Sequence, residues 1–596
     1  MNQLTVARLS VQRILQSPRD YMFGFLLLQG LRWAIGAPII TYLFYHMLSA
    51  AGLSSVTNAN VAYVLSHPIA LVFLLLLAFG VTFFVFFEFG FYFLLAHFQR
   101  SGEDFSYWDI LKRLRNKLPY FFSVHFVVFT IYFVLLLPIA SLGMSSTWTS
   151  SLRIPEFITD ELMHTTSGKL IIGAVLLVVL LVNVRFIYSV YYFSTEPDTT
   201  IWQALKKSWH ATRGQTFSIV TTLGGLVISM SLIAAAGIAL LVVPLYAAES
   251  LVESQLPLVA GIVLTLVQGW IFALGALLQP LLTEAVTVLE RREADPYISA
   301  PFQRRKWLDG PPIMYTALFV GFVVFTAINT TALQETIYQP MTKIVAHRGY
   351  ASVALENTIA SLEAAAEAGA DYVEMDIQET KDGKLVVYHD KTLRRLAGDP
   401  RTVGELTLDE LTAIDITDGH HKERIPSFEA YVDRAKELGM KLLVETKTYG
   451  HESDAFEETL ANVLEEKEVT GEYVVQSLDL ASLRKLESID PRIATSDVIA
   501  LTVGGFPNTP APYVSVEDFS VNASLVQAAN AQEKQLFVWT VNKESLMHDH
   551  IRLGVYGIIT NHVSTAVRVR DSYEDGEGMI DRLLWLAEQT RERVGL

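Results

Sequence analysis

The pattern of apolar and polar positions changes near residue 340. Up to about residue 335 the chain runs in long apolar stretches; beyond that, short apolar runs alternate with amphipathic segments. A helix that crosses a bilayer needs about 20 largely apolar residues. Seven stretches reach that length, at 22–50, 69–98, 119–144, 169–194, 216–247, 257–287 and 313–333. They predict an N-terminal all-α transmembrane bundle of about seven spans over residues 1–335. The first stretch is too long for a removable signal peptide and lacks a small-residue cleavage site. Residues 1–20 are amphipathic and read as an interfacial helix.

From residue 343 the period is that of alternating strands and helices, the pattern of parallel βα units. The expected strands are 344–347, 372–377, 385–389, 441–445, 473–476, 519–522, 536–541 and 557–560, with helices at 358–368, 428–438 and 456–466. Eight units in about 230 residues is the size of a TIM-type (β/α)8 barrel, expected over 336–571. An open doubly wound sheet would need a Gly-rich dinucleotide loop to support it, and none stands in this region. The tail 572–596 is amphipathic and is expected to pack on the barrel rather than on the bilayer.

Composition sharpens the division. The hydrophobic fraction of 51% and mean hydropathy of +0.33 come from the first half. Residues 341–596 hold 26 Lys and Arg against 44 Asp and Glu, while the whole chain is −16. The bundle is therefore near neutral, and the acidic second half excludes nucleic acid as a partner, because phosphate-backbone binding needs clustered cations. With no cysteine in the chain, any metal must be held by carboxylates and imidazoles.

Lys and Arg alternate between loops. Arg8, Arg13 and Arg19 precede the first span; Arg100, Lys112, Arg113, Arg115 and Lys117 follow the second; Lys206, Lys207 and Arg213 follow the fourth; Arg291, Arg292, Arg304, Arg305 and Lys306 follow the sixth. The intervening loops carry only Arg153. The positive-inside rule then gives a multi-pass cell-membrane protein with a cytoplasmic N-terminus and an extracellular C-terminal domain. Three charges lie well inside spans, away from their ends: Arg32, Glu88 and Arg185. Each falls about ten residues from the cytoplasmic end of its helix, so they share a depth. Glu88 is expected to bridge one or both arginines, with a headgroup or transport site as the other reading.

In a (β/α)8 barrel the chemistry gathers at the C-terminal ends of the strands, and the polar residues fall there: His347-Arg348, Glu374 and Asp376, His389-Asp390, Glu445 and Lys447, then Trp539 and Asn542. Glu374 and Asp376, two apart on a strand, point to one face. With Glu445 they can hold one hard divalent cation, Mg2+ or Ca2+. His347 and His389 flank it as a candidate acid/base pair. Arg348 and Lys447 can hold phosphate oxygens, and Trp539 stands beside them as a substrate contact. Asp390 either orients His389 or caps its loop.

These residues resemble the glycerophosphodiester phosphodiesterase family. The likeness runs through His347-Arg348-Gly349, Leu355-Glu356-Asn357-Thr358, Gly369 to Asp376, Thr380-Lys381-Asp382-Gly383, His389-Asp390 and Ile425-Pro426-Ser427. It continues through Glu445-Thr446-Lys447, Gln476-Ser477, Trp539-Thr540-Val541-Asn542 and Gly557 to Asn561. The bundle is similar to the membrane domain fused to some bacterial members. The resemblance implies a TIM barrel that hydrolyses glycerophosphodiesters to glycerol 3-phosphate and an alcohol. It also implies Glu374, Asp376 and Glu445 as metal ligands, His347 and His389 as the acid/base pair, Arg348 and Lys447 as phosphate contacts, and a small insertion at about 390–424. Leu355, Thr446, Leu478 and Asn561 depart from the usual residues without removing a catalytic group.

The link from the last span, about nine residues from 333 to 341, reaches at most ~30 Å. It favours membrane-associated substrates, such as a lysophospholipid or a lipid-linked glycerol-phosphate wall polymer, with membrane lipids as neighbours; simple tethering, with soluble glycerophosphodiesters as substrates, is the other reading. The nucleophile is water or a neighbouring substrate hydroxyl. The alternative function is a lipid-handling or transport protein whose bundle binds the substrate that the barrel processes.

Overall fold

A computed structural model of the chain describes residues 3–101, 105–136, 163, 166–248, 255–291, 311–334, 341–573 and 578–594. Six helical stretches among them are long and apolar enough to cross a membrane: Pro18–Ala51, Pro68–Arg100, Ser167–Thr195, Thr216–Tyr246, Leu256–Glu290 and Thr316–Gln334. The third expected span, 119–144, is interrupted. The helix Tyr107–Phe121 ends just after Pro119, and a separate helix, His125–Leu136, follows. Residues 137–144 lie outside the described residues, as do Arg153, Arg292, Arg304, Arg305, Lys306 and the link 335–340.

The N-terminal helix Gln3–Gln16 does not simply lie on an interface. Val6, Arg13 and Ile14 are buried, and the helix packs against Leu256–Arg291. Of the charges Arg32, Glu88 and Arg185, the first two line one cavity. Arg185 is not with them; its guanidinium lies 5.5 Å over the Trp209 ring. The depth argument placed all three at one level, but the helix Thr166–Phe186 turns Arg185 to another side of the bundle.

The second half forms a closed ring of eight parallel strands in the order β2 (Lys343–Ala346), β3 (Tyr372–Glu379), β7 (Lys441–Thr446), β8 (Val474–Ser477), β9 (Ala494–Ile499), β11 (Tyr513–Glu517), β12 (Gln535–Trp539) and β13 (Gly557–Thr560). This is the expected barrel, with three corrections to its strands. The stretch at 385–389 forms β4 (Leu385–Val387), which pairs antiparallel with the end of β3 and stays outside the ring. The run 519–522 is not a strand; the ring uses β11 just before it. The fifth ring strand, β9, was missed because four of the six residues of its ATSDVI sequence are small or polar. Ser496 on β9 instead exchanges a 2.9 Å hydrogen bond with Ser515 on β11 inside the barrel.

Residues 390–424 carry a hairpin of β5 (Asp415–Thr417) and β6 (Lys422–Arg424). They also form a small core in which Leu393, Leu396, Val403 and Leu411 pack on Val386 and Tyr388.

Two features join barrel and bundle. The strand β1 (Ser55–Thr57), in the connection after the first span, pairs antiparallel with β10 (Thr502–Gly504), in the loop that leaves the rim end of β9. Gly505 N donates to Ser54 O at 2.9 Å and Ser54 Oγ to Phe506 O at 3.0 Å. The second is the C-terminal helix Met579–Val594. It was expected on the barrel, yet its apolar stripe of Ile580, Leu583 and Ala587 is buried against Val242, Leu264, Val267 and Leu333 of the bundle. The stripe has helical spacing and meets an apolar flank that soluble barrel helices do not offer. The opposite side of the helix holds the barrel: Trp585 donates to Asp549, and Arg552 lies 4.3 Å over the Trp585 ring.

Candidate active site

The rim is assembled by tight local turns. His347 and Arg348 follow β2, and Arg348 adopts φ 54°, a left-handed conformation uncommon outside glycine. It aims the Arg348 amide at Glu374 Oε2, 2.8 Å away. Gly349 (φ 79°) must be glycine, because a Cβ there would stand 2.2 Å from Ser361 Oγ. Thr358 caps the helix Ile359–Glu367 by accepting from Ser361 N. That cap leaves Asn357 at φ 56°, with its amide donating to Asp376 Oδ2 at 2.7 Å.

Glu374, Asp376 and Glu445 converge as expected. Asp376 and Glu445 are register partners on β3 and β7. One carboxylate oxygen from each of the three lies within 4.8 Å of the others, and all three residues are buried. Burial and the adjacent Asp376 and Glu445 push the Glu374 carboxyl well above its ordinary range. Burial opposes ionisation of Asp376 too, but Lys447, His389 and Arg348 hold its carboxyl below the usual carboxylate range. An all-oxygen, anionic, buried donor set fits a hard divalent cation and not a soft one.

The cationic side chains lie among these acids. Lys447 contacts Glu445 and stands 3.2 Å from Asp376. Burial disfavours its charge, yet Glu445 and Asp376 more than offset this and raise its pKa. Arg348 donates to Glu356 at 3.1 Å and lies 3.7 Å from Asp376. Glu356 in turn takes a two-pronged contact from Arg395, at 2.8 and 2.6 Å. Burial works against the Glu356 anion, but Arg348 and Arg395 pull its carboxyl down to about 2.

The two histidines have different partners. His347 Nδ1 meets Asn561 Oδ1 at 2.8 Å, which leaves Nε2 facing Glu374 at 4.0 Å. Burial and Arg348 hold its ring far below the ordinary value, at about 3. His389 Nδ1 meets Asp390 Oδ1 at 2.8 Å, and Arg395 pins that carboxylate through both oxygens. Asp390 therefore orients His389, which settles the choice the sequence left open. His389 follows the antiparallel β4 rather than a ring strand, and Tyr449 Oη donates to its carbonyl at 2.7 Å. Trp539 ends β12, half-buried, with Nε1 donating to Ser515 O at 3.0 Å.

Several contributors were not assigned from sequence. Gln476 donates to Glu445 at 2.9 Å and accepts from Ser515. Asn542 Oδ1 accepts from the Asn561 amide at 3.0 Å and so sets the partner of His347. Arg395 ties Glu356 to Asp390 across 34 residues of chain. Nothing in the spacing of Arg395 marks it. Asn357 and Gln476 stand in the family blocks quoted from the sequence, but their contacts to Asp376 and Glu445 were not read there.

Comparison with known proteins covers both halves. Residues 7–333 match the membrane domain of glycerophosphoryl diester phosphodiesterase. Residues 347–565 match the glycerophosphoryl diester phosphodiesterase family. A glycerophosphodiester phosphodiesterase of Bacillus altitudinis is 30% identical over 242 residues, 39% of this chain and 99% of that protein. One from Caldanaerobacter subterraneus is 28% identical over 242 residues, 38% of this chain and 97% of its own. A solved glycerophosphodiester phosphodiesterase from Parabacteroides distasonis is 23% identical, covering 39% of this chain and 98% of that one, with a TM-score of 0.35. The chain belongs to the glycerophosphoryl diester phosphodiesterase family, with a membrane domain joined to a phosphodiesterase barrel.

Proposed function

We propose that this rim hydrolyses membrane-associated glycerophosphodiesters with one divalent cation held by Glu374, Asp376 and Glu445. The observation that carries the reading is the charge balance. Glu356, Glu374, Asp376, Asp390 and Glu445 stand against Arg348, Arg395 and Lys447, five acids to three bases. Ionised together they leave an excess of two negative charges, the charge of one Mg2+ or Ca2+. When bound, such an ion supplies a Lewis acid for a phosphoryl oxygen.

The chain's own groups carry the protons. His347, with Nδ1 engaged by a neutral amide, accepts the nucleophile's proton on Nε2 as the P–O bond forms. His389, backed by the Asp390 carboxylate, gives a proton to the alkoxide as the second P–O bond breaks. The products are glycerol 3-phosphate and an alcohol when water attacks, and a cyclic phosphate first when the neighbouring glycerol hydroxyl attacks. Arg348 and Lys447 exchange part of their carboxylate contacts for phosphate oxygens, and Trp539 walls the substrate.

The loop charges orient the bundle with its N-terminus in the cytoplasm and the barrel outside. The β1–β10 pairing supports a lipid-borne substrate, such as a lysophospholipid or a lipid-linked glycerol-phosphate polymer, because it ties a rim loop to the barrel-side end of the bundle. The test uses the full chain in lipid nanodiscs. Glycerophosphocholine and a lysophospholipid should both release their alcohol, EDTA should abolish this, and Mg2+ or Ca2+ should restore it. Turnover that survives exhaustive EDTA treatment would sink the metal assignment, and preference for the soluble diester would sink the lipid assignment.

A further inference from the structure

Midway along the bundle is a cavity of about 130 Å³ whose lining includes Gln29, Arg32, Phe83, Phe87, Glu88 and Tyr92. Arg32 lies twelve residues beyond Asp20 on one helix, and Glu88 twelve residues before Arg100 on its neighbour. At 1.5 Å per residue both sit about 18 Å from the end of the bundle farther from the barrel. Charges at such depth are costly and mark sites where something polar is handled. The helix is also irregular there: Arg32–Gly36 is a π-helical turn, a feature that gathers at functional positions. Ile35, on the cavity wall, is 49% exposed, and the adjoining Trp33 is 68% exposed. Both belong to a span, so the cavity opens towards hydrocarbon and is reached from the bilayer, not from water.

We infer that this cavity is a headgroup site for a zwitterionic phospholipid or lysophospholipid. The phosphate lies on the Arg32 guanidinium, and the ammonium lies between the Glu88 carboxylate and the rings of Phe83, Phe87 and Tyr92. Guanidinium is the side chain best matched to phosphate, and a carboxylate within aromatic faces is the pattern that takes an alkylammonium. Arg32 and Glu88 are neutral as a pair, so a zwitterion enters without leaving a net charge in the membrane; an anionic or a cationic amphiphile does not. The cavity has room for a headgroup and not for acyl chains, which stay in the bilayer. From Arg32 the same helical stretch climbs to Ala51 and then to β1, about 23 residues on, which pairs with the rim loop. The site thus stands on the element that joins the bundle to the catalytic mouth. Its occupancy does not depend on the catalytic roles proposed above.

The test uses full-length protein in a maltoside detergent and radiolabelled hexadecylphosphocholine, which carries the headgroup but no glycerol and so is not a glycerophosphodiester. Hexadecyl phosphate and hexadecyltrimethylammonium are the half-headgroup controls. The expected result is saturable binding of hexadecylphosphocholine at least tenfold tighter than either control. Arg32→Gln should weaken phosphocholine and phosphate amphiphiles, Glu88→Gln phosphocholine and trimethylammonium amphiphiles, each about tenfold. Should either variant fail to fold, Phe87→Ala provides the same readout without touching the charges. Free phosphocholine should not displace the probe; displacement would overturn the lipid source. Equal binding of all three amphiphiles, or unchanged binding in all variants, would reduce Arg32 and Glu88 to an ion pair that holds two helices. Hydrolysis of glycerophosphocholine on the same samples reports the catalytic reading separately: its loss with binding intact counts against the rim assignment alone.

Discussion

Two buried charge clusters in this chain use the same side chains to different ends. Near the end of the bundle farther from the barrel, Glu284 takes Arg100 at 2.7 Å, Arg13 at 3.6 Å and Tyr21 Oη at 2.7 Å, while Gln99 links Tyr21 to Asp20. Among the described residues two acids face two bases, and the Glu284, Arg13 and Arg100 side chains are 0%, 3% and 5% exposed. At the barrel rim the acids outnumber the bases, and His347, His389 and Lys447 keep 21%, 16% and 15% of their side-chain surface open. The first cluster is balanced and shut; the second is unbalanced and accessible. Burial of charge alone does not mark a site. What separates the two is whether the charge closes on itself and whether solvent can reach it.

The largest contrast comes from neutralising one acid in each cluster. Glu374→Gln should lose the cation and at least ~10³ in glycerol 3-phosphate release, since Lewis-acid stabilisation of several kcal/mol is tenfold per ~1.4 kcal/mol. Folded yield should hold or rise, because a crowded anion is removed. Glu284→Gln should do the reverse: unchanged turnover per folded molecule, and a loss of stability of about 3–5 kcal/mol from arginines left buried without their partner. Activity assays on size-exclusion-purified protein, with metal content by mass spectrometry, read both. Equal behaviour of the two variants would erase the distinction.

Next in size are the histidines. His347→Ala and His389→Ala should each cost about 10²–10⁴ in turnover with the cation still bound. Loss of metal in either variant would make that histidine a ligand rather than a proton carrier. Their partners matter less. Asn561→Ala and Asp390→Asn should each cost about 10–100-fold, the usual price of losing an orienting contact. Asn561→Asp, which keeps an acceptor for Nδ1, should recover most of the loss; if it does no better than alanine, the contact does not orient the ring.

The rim side of this contrast was legible in the sequence; the Glu284 cluster, whose arginines read there only as loop charges, was not. The carboxylate trio could be read because residues two apart on a strand share a face, and strand ends in a barrel share a rim; Glu374, Asp376 and Glu445 obey both rules. The apolar runs and the shift to alternating strands gave the two-part architecture for the same periodic reason. What escaped depends on contacts between segments far apart in sequence. Arg395 reaches Glu356 from inside the insertion, Asn561 reaches His347 across 214 residues of chain, and β1 finds β10 across 445. The strand β9 escaped because polar residues stand on both its faces, Ser496 satisfied by Ser515 inside the barrel and Thr495 by Glu487 on the outer helix, rather than by apolar packing. The C-terminal helix showed its stripe plainly but not which of two surfaces would receive it.

The smallest expected effect probes the link between the rim and its insertion. Glu356 touches neither the carboxylate trio nor the histidines, but it holds Arg348 and Arg395 together. Its carboxyl is lowered from the ordinary 4.5 to about 2, with the two arginines overcoming burial. A depressed folded-state pKa stabilises above the unfolded value and is lost as the pH falls through the folded one. Glu356→Gln should therefore lower the melting temperature by a few degrees at neutral pH. The gap from wild type should stay constant down to about pH 4.5 and close between there and about pH 2. Turnover at neutral pH should fall only several-fold, through a looser Arg348. Thermal melts of the full chain across that acid range check the sign. A gap that widens on acidification would mean the anion is not the form the fold prefers, and the insertion would then be held by its apolar core on Val386 and Tyr388 alone.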